Sequence, residues 1–163
     1  MSDTKLPLPL ITADKEPYWE AAGRHELLLL KCVSCGQHRH PLHAGDSFMC
    51  PHCNTTTPPD WVKATGKGKL LTWTVVHKAF IPSFAEEVPY VVAIAALDED
   101  VRMIANLRCV KPEDIKGDME VEVFFEELTS DITLPQFRPS NSELSYSIGR
   151  WAISHSNRKG GRT

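Results

Sequence analysis

Two cysteine pairs of identical spacing constrain the fold of this chain more than any other feature. Cys32-Val-Ser-Cys35 and Cys50-Pro-His-Cys53 each carry two thiols three positions apart, and fourteen residues separate the pairs. A C-x2-C turn lets two thiolates converge on one ion, and two such turns complete a tetrahedral site. Gly36 and Asn54, directly after the pairs, tolerate the left-handed backbone that these turns need. The spacing predicts a zinc ribbon with Cys32, Cys35, Cys50 and Cys53 as ligands.

Other uses of these cysteines remain open at this point. Iron suits the same four-sulfur geometry, as in rubredoxin-like electron carriers. Disulfides are disfavoured because we expect a cytoplasmic protein, whose compartment is reducing. Four histidines near the pairs, His38, His40, His43 and His52, could replace a thiolate, although we expect them to be loop residues. Four thiolates leave no open position for water, so the predicted zinc is structural rather than catalytic.

The segments around the cysteine pairs predict one helix and one short strand. Asp14 is placed to cap a helix that contains Tyr18 and Trp19, and Gly23 is placed to end it in the left-handed conformation. We expect the two aromatic side chains to pack on the second half of the chain or on a partner. Leu27 to Lys31 predicts a strand leading into the first cysteine pair.

From Trp61 onward the pattern changes to strands. Five segments are rich in β-branched and aromatic residues or alternate apolar with polar ones, and a short helical turn is predicted between the third and the fourth. The segments are Lys69 to Lys78, Tyr90 to Leu97, Val101 to Val110, Met119 to Leu128 and Ile132 to Phe137. This order predicts an OB-type barrel. We therefore divide the chain into a helix and ribbon (1–60), an OB-fold domain (61–139) and a carboxyl-terminal extension (140–163).

Composition and charge exclude several classes of protein. The 163 residues are 42% hydrophobic and 24% charged, which is the composition of a folded globular chain. The longest apolar run has eight residues, too short to span a membrane, and the amino terminus does not have the pattern of a secretory signal. These features predict a cytoplasmic protein without a membrane anchor.

The order of these features resembles a family of acyl-CoA-associated OB-fold proteins that carry an amino-terminal helix and a rubredoxin-like zinc ribbon. The resemblance covers about residues 14 to 139. It is carried by the Tyr18-Trp19 helix, Gly23, both cysteine pairs, Gly66-Lys-Gly68, Thr72-Trp-Thr-Val75, Pro89-Tyr-Val-Val92, Arg102, Gly117 and Leu134-Pro-Gln-Phe-Arg-Pro139.

The resemblance implies an accessory subunit that docks on a thiolase-fold enzyme, or on a hydratase or aldolase acting on acyl-CoA thioesters. The partner would supply the reactive cysteine, and this chain would help to form the acyl-CoA site. Acyl-CoA is thus a possible shared ligand. The chemistry of the complex would be thiolysis, acyl transfer or aldol-type carbon–carbon bond chemistry.

Two further function classes compete with this interpretation. A zinc ribbon followed by an OB barrel also occurs in nucleic-acid-binding proteins, but residues 61–138 carry 9 basic and 13 acidic side chains, and a strand-binding groove needs the opposite balance. Independent catalysis would need Cys109 as nucleophile and His77 as base. Because Cys109 lies in an apolar segment, we expect a buried structural thiol instead.

Two sets of residues are candidates for contacts with ligands and partners. Lys67 and Lys69, in a glycine-containing turn, could meet the phosphates of CoA. The segment from Ala79 to Val88 presents bulky apolar side chains between two strong strands, and the extension carries an isolated tryptophan. The predicted partner interface consists of Phe80, Ile81, Phe84 and Trp151.

Overall fold

The computed structural model describes residues 6–43 and 49–141, in which one α-helix is followed by two β-sheets. Single turns of 3-10 helix lie at Pro41–His43, Pro82–Phe84 and Pro112–Asp114. The helix α1 is Glu16–Gly23, and the strands are β1 Leu28–Lys31, β2 His38–Arg39, β3 Asp60–Lys63, β4 Lys67–Val76, β5 Tyr90–Leu97, β6 Arg102–Asn106, β7 Glu120–Glu127 and β8 Thr133–Pro139.

The smaller sheet contains the ribbon and has the order β2-β1-β3. β1 pairs antiparallel with both neighbours, with Leu30 opposite Arg39 on one side and opposite Trp61 on the other. The first cysteine pair lies in the turn that joins β1 to β2. β3 follows the second pair and returns the chain to β1, so each cysteine pair is held against this sheet.

The larger sheet has the order β6-β5-β4-β7-β8, and all its strand pairs are antiparallel. A parallel bridge between Leu107 and Phe137 joins its two ends, and the Arg108 N–H donates to the carbonyl oxygen of Phe137 at 2.8 Å. Five strands nearly closed in this way form an OB barrel. The predicted fold class is confirmed: a mainly β chain with a short helix, a cysteine ribbon and a five-stranded barrel. The predicted extension lies largely outside the described residues.

The central strand β5 shows why this sequence forms a barrel. Its residues alternate between fully buried and half-buried, and the buried set is Val91, Ala93, Ala95 and Leu97. The small alanines let Phe137 and Leu70 fill the interior without overpacking. Position 68 accepts only glycine, since a Cβ there would lie only 2.2 Å from the carbonyl oxygen of Ala96.

The helix packs on the same core as the barrel. Tyr18 is 2% exposed, and both Tyr18 and Trp19 belong to the cluster that contains Phe137. The expectation that these aromatic side chains pack on the second half of the chain is confirmed. The predicted stop at Gly23 is confirmed, but the predicted cap is wrong: the N-cap is Lys15, with Asp14 paired to its ammonium group at 2.8 Å.

The left-handed residue after α1 also differs from the prediction. His25 adopts it, with φ of 61°, whereas Gly23 is the last helical residue. The N–H groups of His25 and Glu26 donate to the carbonyl oxygens of Ala22 and Ala21, each at 2.9 Å, so the left-handed turn is made two residues later than predicted.

The third barrel strand is shorter than predicted, and this moves Cys109 out of it. β6 ends at Asn106, and Cys109 follows in a bend with φ of 59° and is half-buried. The chain turns there because Leu107 and Arg108 bond across the closing seam to Val91 and Phe137. The expectation that Cys109 is buried and lies in a strand is therefore wrong on both points.

Candidate functional site

The two cysteine turns have the same backbone hydrogen-bond pattern. The N–H of Gly36 donates to the carbonyl oxygen of Cys32 at 2.9 Å, and the N–H of Asn54 donates to that of Cys50 at 2.8 Å. Gly36 and Asn54 have φ of 73° and 57°, so the prediction of left-handed residues at both positions is confirmed. Two equivalent turns can approach a single ion symmetrically.

The sulfur atoms of the four cysteines form one small cluster. Their Sγ atoms are all within 4.8 Å of one another, and the Cys32–Cys53 and Cys35–Cys50 separations are both 3.7 Å. A disulfide would require about 2.05 Å. A tetrahedron with zinc–sulfur bonds of about 2.3 Å has edges of about 3.8 Å, so the cage fits an ion of that size. The prediction that these four cysteines form one site able to hold a metal is confirmed.

Backbone N–H groups aimed at the sulfurs favour thiolates in this cluster. The amides of Cys53 and His52 lower the pKa of Cys50 to about 6. The amides of Cys35 and Ser34 likewise lower the pKa of Cys32. The amide of Gln37 also favours the thiolate of Cys35, but burial and the neighbouring thiols of Cys32 and Cys53 raise the pKa of Cys35 to about 12. One cysteine of each turn therefore favours the thiolate form that binds metal, and Cys35 must lose its proton when an ion binds.

The histidines near the ribbon do not belong to the sulfur cluster in the described part of the chain. His40 is buried, its Nε2 lies 3.3 Å from the Tyr18 hydroxyl, and its Nδ1 accepts the N–H of Leu42 at 3.3 Å. His52 is exposed, and His38 lies in β2. His40 therefore links the ribbon to α1, a role that the sequence pattern did not indicate.

The predicted CoA contacts lie on a turn whose charges are partly balanced. Lys67 and Lys69 are exposed, and in the strand register they lie opposite Glu122 and Glu120. The N–H of Thr65, in the same turn, donates to Glu99 Oε1 at 2.6 Å. A carboxylate thus already uses one amide that a phosphate would need. The assignment of CoA binding to Lys67 and Lys69 stays a prediction.

The predicted interface residues divide into two groups. Phe80 is 85% exposed and Ile81 is 53% exposed, although both are apolar. Phe84 is half-buried, with its ring centroid 5.9 Å from that of Tyr90. Trp151 lies outside the described residues. Only Phe80 and Ile81 therefore form an exposed apolar tip on this loop, whereas Phe84 is fixed against the barrel.

A pocket of about 310 Å³ opens on the outside of the barrel beside the closing seam. Its polar part consists of Arg108 with Glu87 at 3.7 Å and Glu126 at 3.8 Å, and of Gln136, whose Oε1 accepts the Asn106 N–H at 3.0 Å. Two carboxylates beside one guanidinium leave the pocket with net negative charge, which disfavours a phosphate. No sequence signal marked this pocket, because its residues come from five separate segments.

The residues considered for independent catalysis do not form a pair. His77 is exposed after β4, and no hydrogen bond joins it to Cys109 within the described ranges.

No helix among the described residues is long and apolar enough to cross a membrane.

Comparison with known proteins agrees with this fold and decides the family. Residues 61–126 match the family model described as the ChsH2 C-terminal OB-fold domain. A DUF35 domain-containing scaffold protein of Methanocaldococcus jannaschii is 35% identical over 108 residues, which cover 66% of this chain and 73% of that protein. The chain belongs to the DUF35 family. The predicted resemblance to acyl-CoA-associated OB-fold proteins is thereby confirmed.

Two further relatives of this DUF35 chain carry informative names. The solved structure titled Ltp2-ChsH2(DUF35) aldolase matches with a TM-score of 0.69 and 36% identity over 81% of this chain and 98% of that chain. The probable enoyl-CoA hydratase alpha subunit of Thermomonospora curvata is 36% identical over 136 residues, which are 82% of this chain. This chain spans 40% of the length of that hydratase subunit.

Proposed function

We propose that this DUF35 chain is an accessory subunit of an enzyme complex that acts on acyl-CoA thioesters, with the partner subunit performing the chemistry. The single observation that carries the proposal is the match to a chain in the Ltp2-ChsH2(DUF35) aldolase structure, 98% of which is covered by this chain. The name of the hydratase alpha subunit supports the same substrate class. The partner that we propose has a thiolase fold, with thiolysis, acyl transfer or aldol-type chemistry as its reaction.

The separation of His77 from Cys109 supports a non-catalytic role. A nucleophile needs a base within hydrogen-bond reach. In the described part of the chain, no hydrogen bond joins His77 to Cys109. The exposed tip of Phe80 and Ile81 supports docking, because an apolar tip of this kind is covered in an assembled complex. Phe84 and Trp151 remain proposed members of the same interface.

We propose zinc as the ion held by Cys32, Cys35, Cys50 and Cys53. The sulfur spacing fits zinc–thiolate bonds, and a closed set of four thiolates gives the ion a structural task. Iron would fit the same cage, so metal analysis of the purified chain decides between them.

The proposal includes contact between this chain and CoA. Lys67 and Lys69 are the proposed residues, and the carboxylates of Glu120 and Glu122 across the register reduce their attraction for phosphate. We therefore propose that the partner provides most of the phosphate contacts. The proposed division into 1–60, 61–139 and 140–163, and a cytoplasmic location, complete this account.

The proposal is tested by affinity purification of the tagged full chain from its native host. We expect a second subunit in stoichiometric amount after size-exclusion chromatography, and we expect this complex to act on acyl-CoA. The matched variants are Phe80→Ser with Ile81→Ser, which should weaken the complex, and Leu10→Ser, a change at an exposed apolar residue outside the loop, which should not. Recovery of the chain alone under low-salt conditions, with no subunit of an acyl-CoA enzyme bound, would contradict the proposal.

A further inference from the structure

The first barrel strand β4 has a free edge over its second half. Its pairing with β7 ends at Lys69, and the last contact is made by Leu70, whose N–H donates to Met119 and whose carbonyl oxygen accepts the N–H of Asp118. β5 accompanies β4 on the other side as far as Val76. Within the described ranges, residues 71–76 therefore have a neighbouring strand on one side only.

The hydrogen bonds of β5 show which residues face the free edge. The N–H of Leu107 donates to the carbonyl oxygen of Val91, so the backbone groups of Val91 and Ala93 face β6. Val92 and Ile94 then face β4, where they lie opposite Thr74 and Thr72. The backbone N–H and C=O groups of successive strand residues point to opposite sides. Trp73 lies between the two threonines and Val75 follows them, so Trp73 and Val75 direct their N–H and C=O groups away from β5.

Nothing in the described part of the chain occupies this edge. No hydrogen bond from another described element reaches the backbone of Trp73 or Val75. Their side chains are half-buried and pack against the barrel core, which holds the strand rigidly in place. The edge is therefore a fixed row of four backbone donors and acceptors.

The sequence of this edge lacks the usual protection against pairing. Sheets protect free edges with charged residues, proline or bulges. The register shift between Leu70 and Thr72 is such a bulge, but it lies at one end, and residues 70–76 contain no charge and no proline. The segment Thr72-Trp-Thr-Val-Val76 has high β-propensity. It also leads directly into the loop that carries the exposed Phe80 and Ile81.

We infer that the free edge of β4, at Trp73 and Val75, binds an extended segment of the partner subunit as an added β-strand. This inference rests on the proposed function and names the surface that it uses. An added strand bonds to all of these N–H and C=O groups together, which is how extended peptides bind free sheet edges. Lys78 follows the uncharged stretch, whereas Lys69 before it already lies opposite Glu120, so the segment that fits is apolar or β-branched along the edge and acidic at the end beside Lys78. A second copy fits poorly, because antiparallel pairing centred on Thr74 places Lys78 of each copy opposite Leu70 of the other, whose backbone groups already bond to Met119 and Asp118.

The test is amide hydrogen exchange on the full chain, free and in the complex purified from the native host. In the complex, the amides of Trp73 and Val75 should exchange at least tenfold more slowly than in the free chain. Those of Thr72 and Thr74 already bond to β5 and should be slow in both states, which provides an internal control. The measurement uses the unaltered chain and does not depend on the folding of any variant.

A pair of variants gives the second measurement. Val75→Pro removes the backbone N–H that points away from β5 and leaves every hydrogen bond to β5 in place. Val75→Ala removes a similar number of side-chain contacts but keeps this N–H. Val75→Pro should raise the Kd for the partner about tenfold relative to Val75→Ala. Equal affinities, together with unprotected amides at Trp73 and Val75 in an intact complex, would overturn the inference and leave the proposed function standing.

Two other outcomes also decide the matter. A free chain that is dimeric at the same concentration, with both amides protected, would mean that a second copy occupies the edge and would overturn the inference. Failure to obtain any complex would overturn the proposed function, and the inference would fall with it.

Discussion

The ribbon (residues 28–63) and the barrel (residues 67–139) fill their interiors in different ways. The barrel interior is packed with side chains from every strand, with Leu70, Val121 and Phe137 fully buried. The ribbon buries Leu29 in the cluster that contains the barrel core and Leu30 on the opposite face of β1, but Val33 and Met49, beside the cysteine turns, are about half exposed. The cysteine end of the ribbon has too little apolar burial to hold itself together, and a metal ion is the interaction available to it.

The two regions meet through α1 and not only through the chain that connects them. Tyr18 contributes to the barrel cluster through its ring and contacts His40 of the ribbon through its hydroxyl. Changes in the cysteine turns, the barrel core and this junction should therefore have separable effects.

The largest effect is expected for Cys50→Ser. Loss of one thiolate should abolish stoichiometric metal binding, since metal affinity supplies the folding free energy of such modules. Hydrogen exchange should show that amides around the two cysteine turns lose protection while those of β5 keep it. Cys109→Ser, at a cysteine outside the sulfur cluster, should leave the metal content unchanged. Full metal retention in Cys50→Ser would contradict the four-thiolate site.

Phe137→Ala should be the most damaging change in the barrel. Removal of this fully buried ring should lower the free energy of unfolding by about 3 to 5 kcal/mol, as measured by urea denaturation. Metal content should be retained at temperatures where the barrel is folded. Leu71→Ala, at an exposed position of β4, should cost less than about 1 kcal/mol. Similar costs for both variants would mean that the barrel core is not as assigned.

Tyr18→Phe tests the junction of the two regions. Loss of the buried contact between its hydroxyl and His40 should cost about 1 to 1.5 kcal/mol at pH 7. Burial raises the pKa of the Tyr18 phenol above its usual value of 10.0. The unfolded chain therefore loses this proton first, and the extra stability of the native chain over Tyr18→Phe should decline as the pH rises above 10. A difference that is constant from pH 7 to 11 would contradict the buried position.

The smallest effect is expected for a matched pair of glycine substitutions. A Cβ at Gly36 or at Gly23 meets nothing within 4 Å, but only Gly36 has a positive φ, of 73°. Gly36→Ala should therefore destabilise the ribbon by about 1 kcal/mol, whereas Gly23→Ala should be neutral or stabilising. Thermal unfolding of both variants with metal bound makes this comparison. Equal shifts would mean that backbone strain at the cysteine turn is not the cause.

Local patterns in the sequence predicted the parts of this molecule that depend on local chemistry. The bounds of β5 follow from an uninterrupted apolar run, and the sulfur cluster follows from the duplicated spacing of Cys32–Cys35 and Cys50–Cys53. Features that depend on residues far apart were missed. Arg108 lies between Glu87 and Glu126 only because the barrel closes at the seam of β6 and β8. The contact of His40 with Tyr18 likewise depends on how α1 packs.

The ends of elements were the other weak point, for a physical reason. Asp14 and Gly23 are good capping residues, but Asp14 forms an ion pair with Lys15, which takes the N-cap position, and His25 adopts the left-handed conformation. α1 contains the predicted Tyr18-Trp19 segment and ends at Gly23, so local propensity located the helix but not the residues at its caps.

The most direct test of the account is acyl-CoA turnover by three samples: this chain alone, the partner subunit alone, and the two recombined. We expect no turnover by the isolated chain, and a rate for the recombined complex at least tenfold above that of the partner alone. The recombined complex made with Cys109→Ser should be equally active. Turnover by the isolated chain that is lost in Cys109→Ser would contradict the account, since the chain would then be an enzyme in its own right.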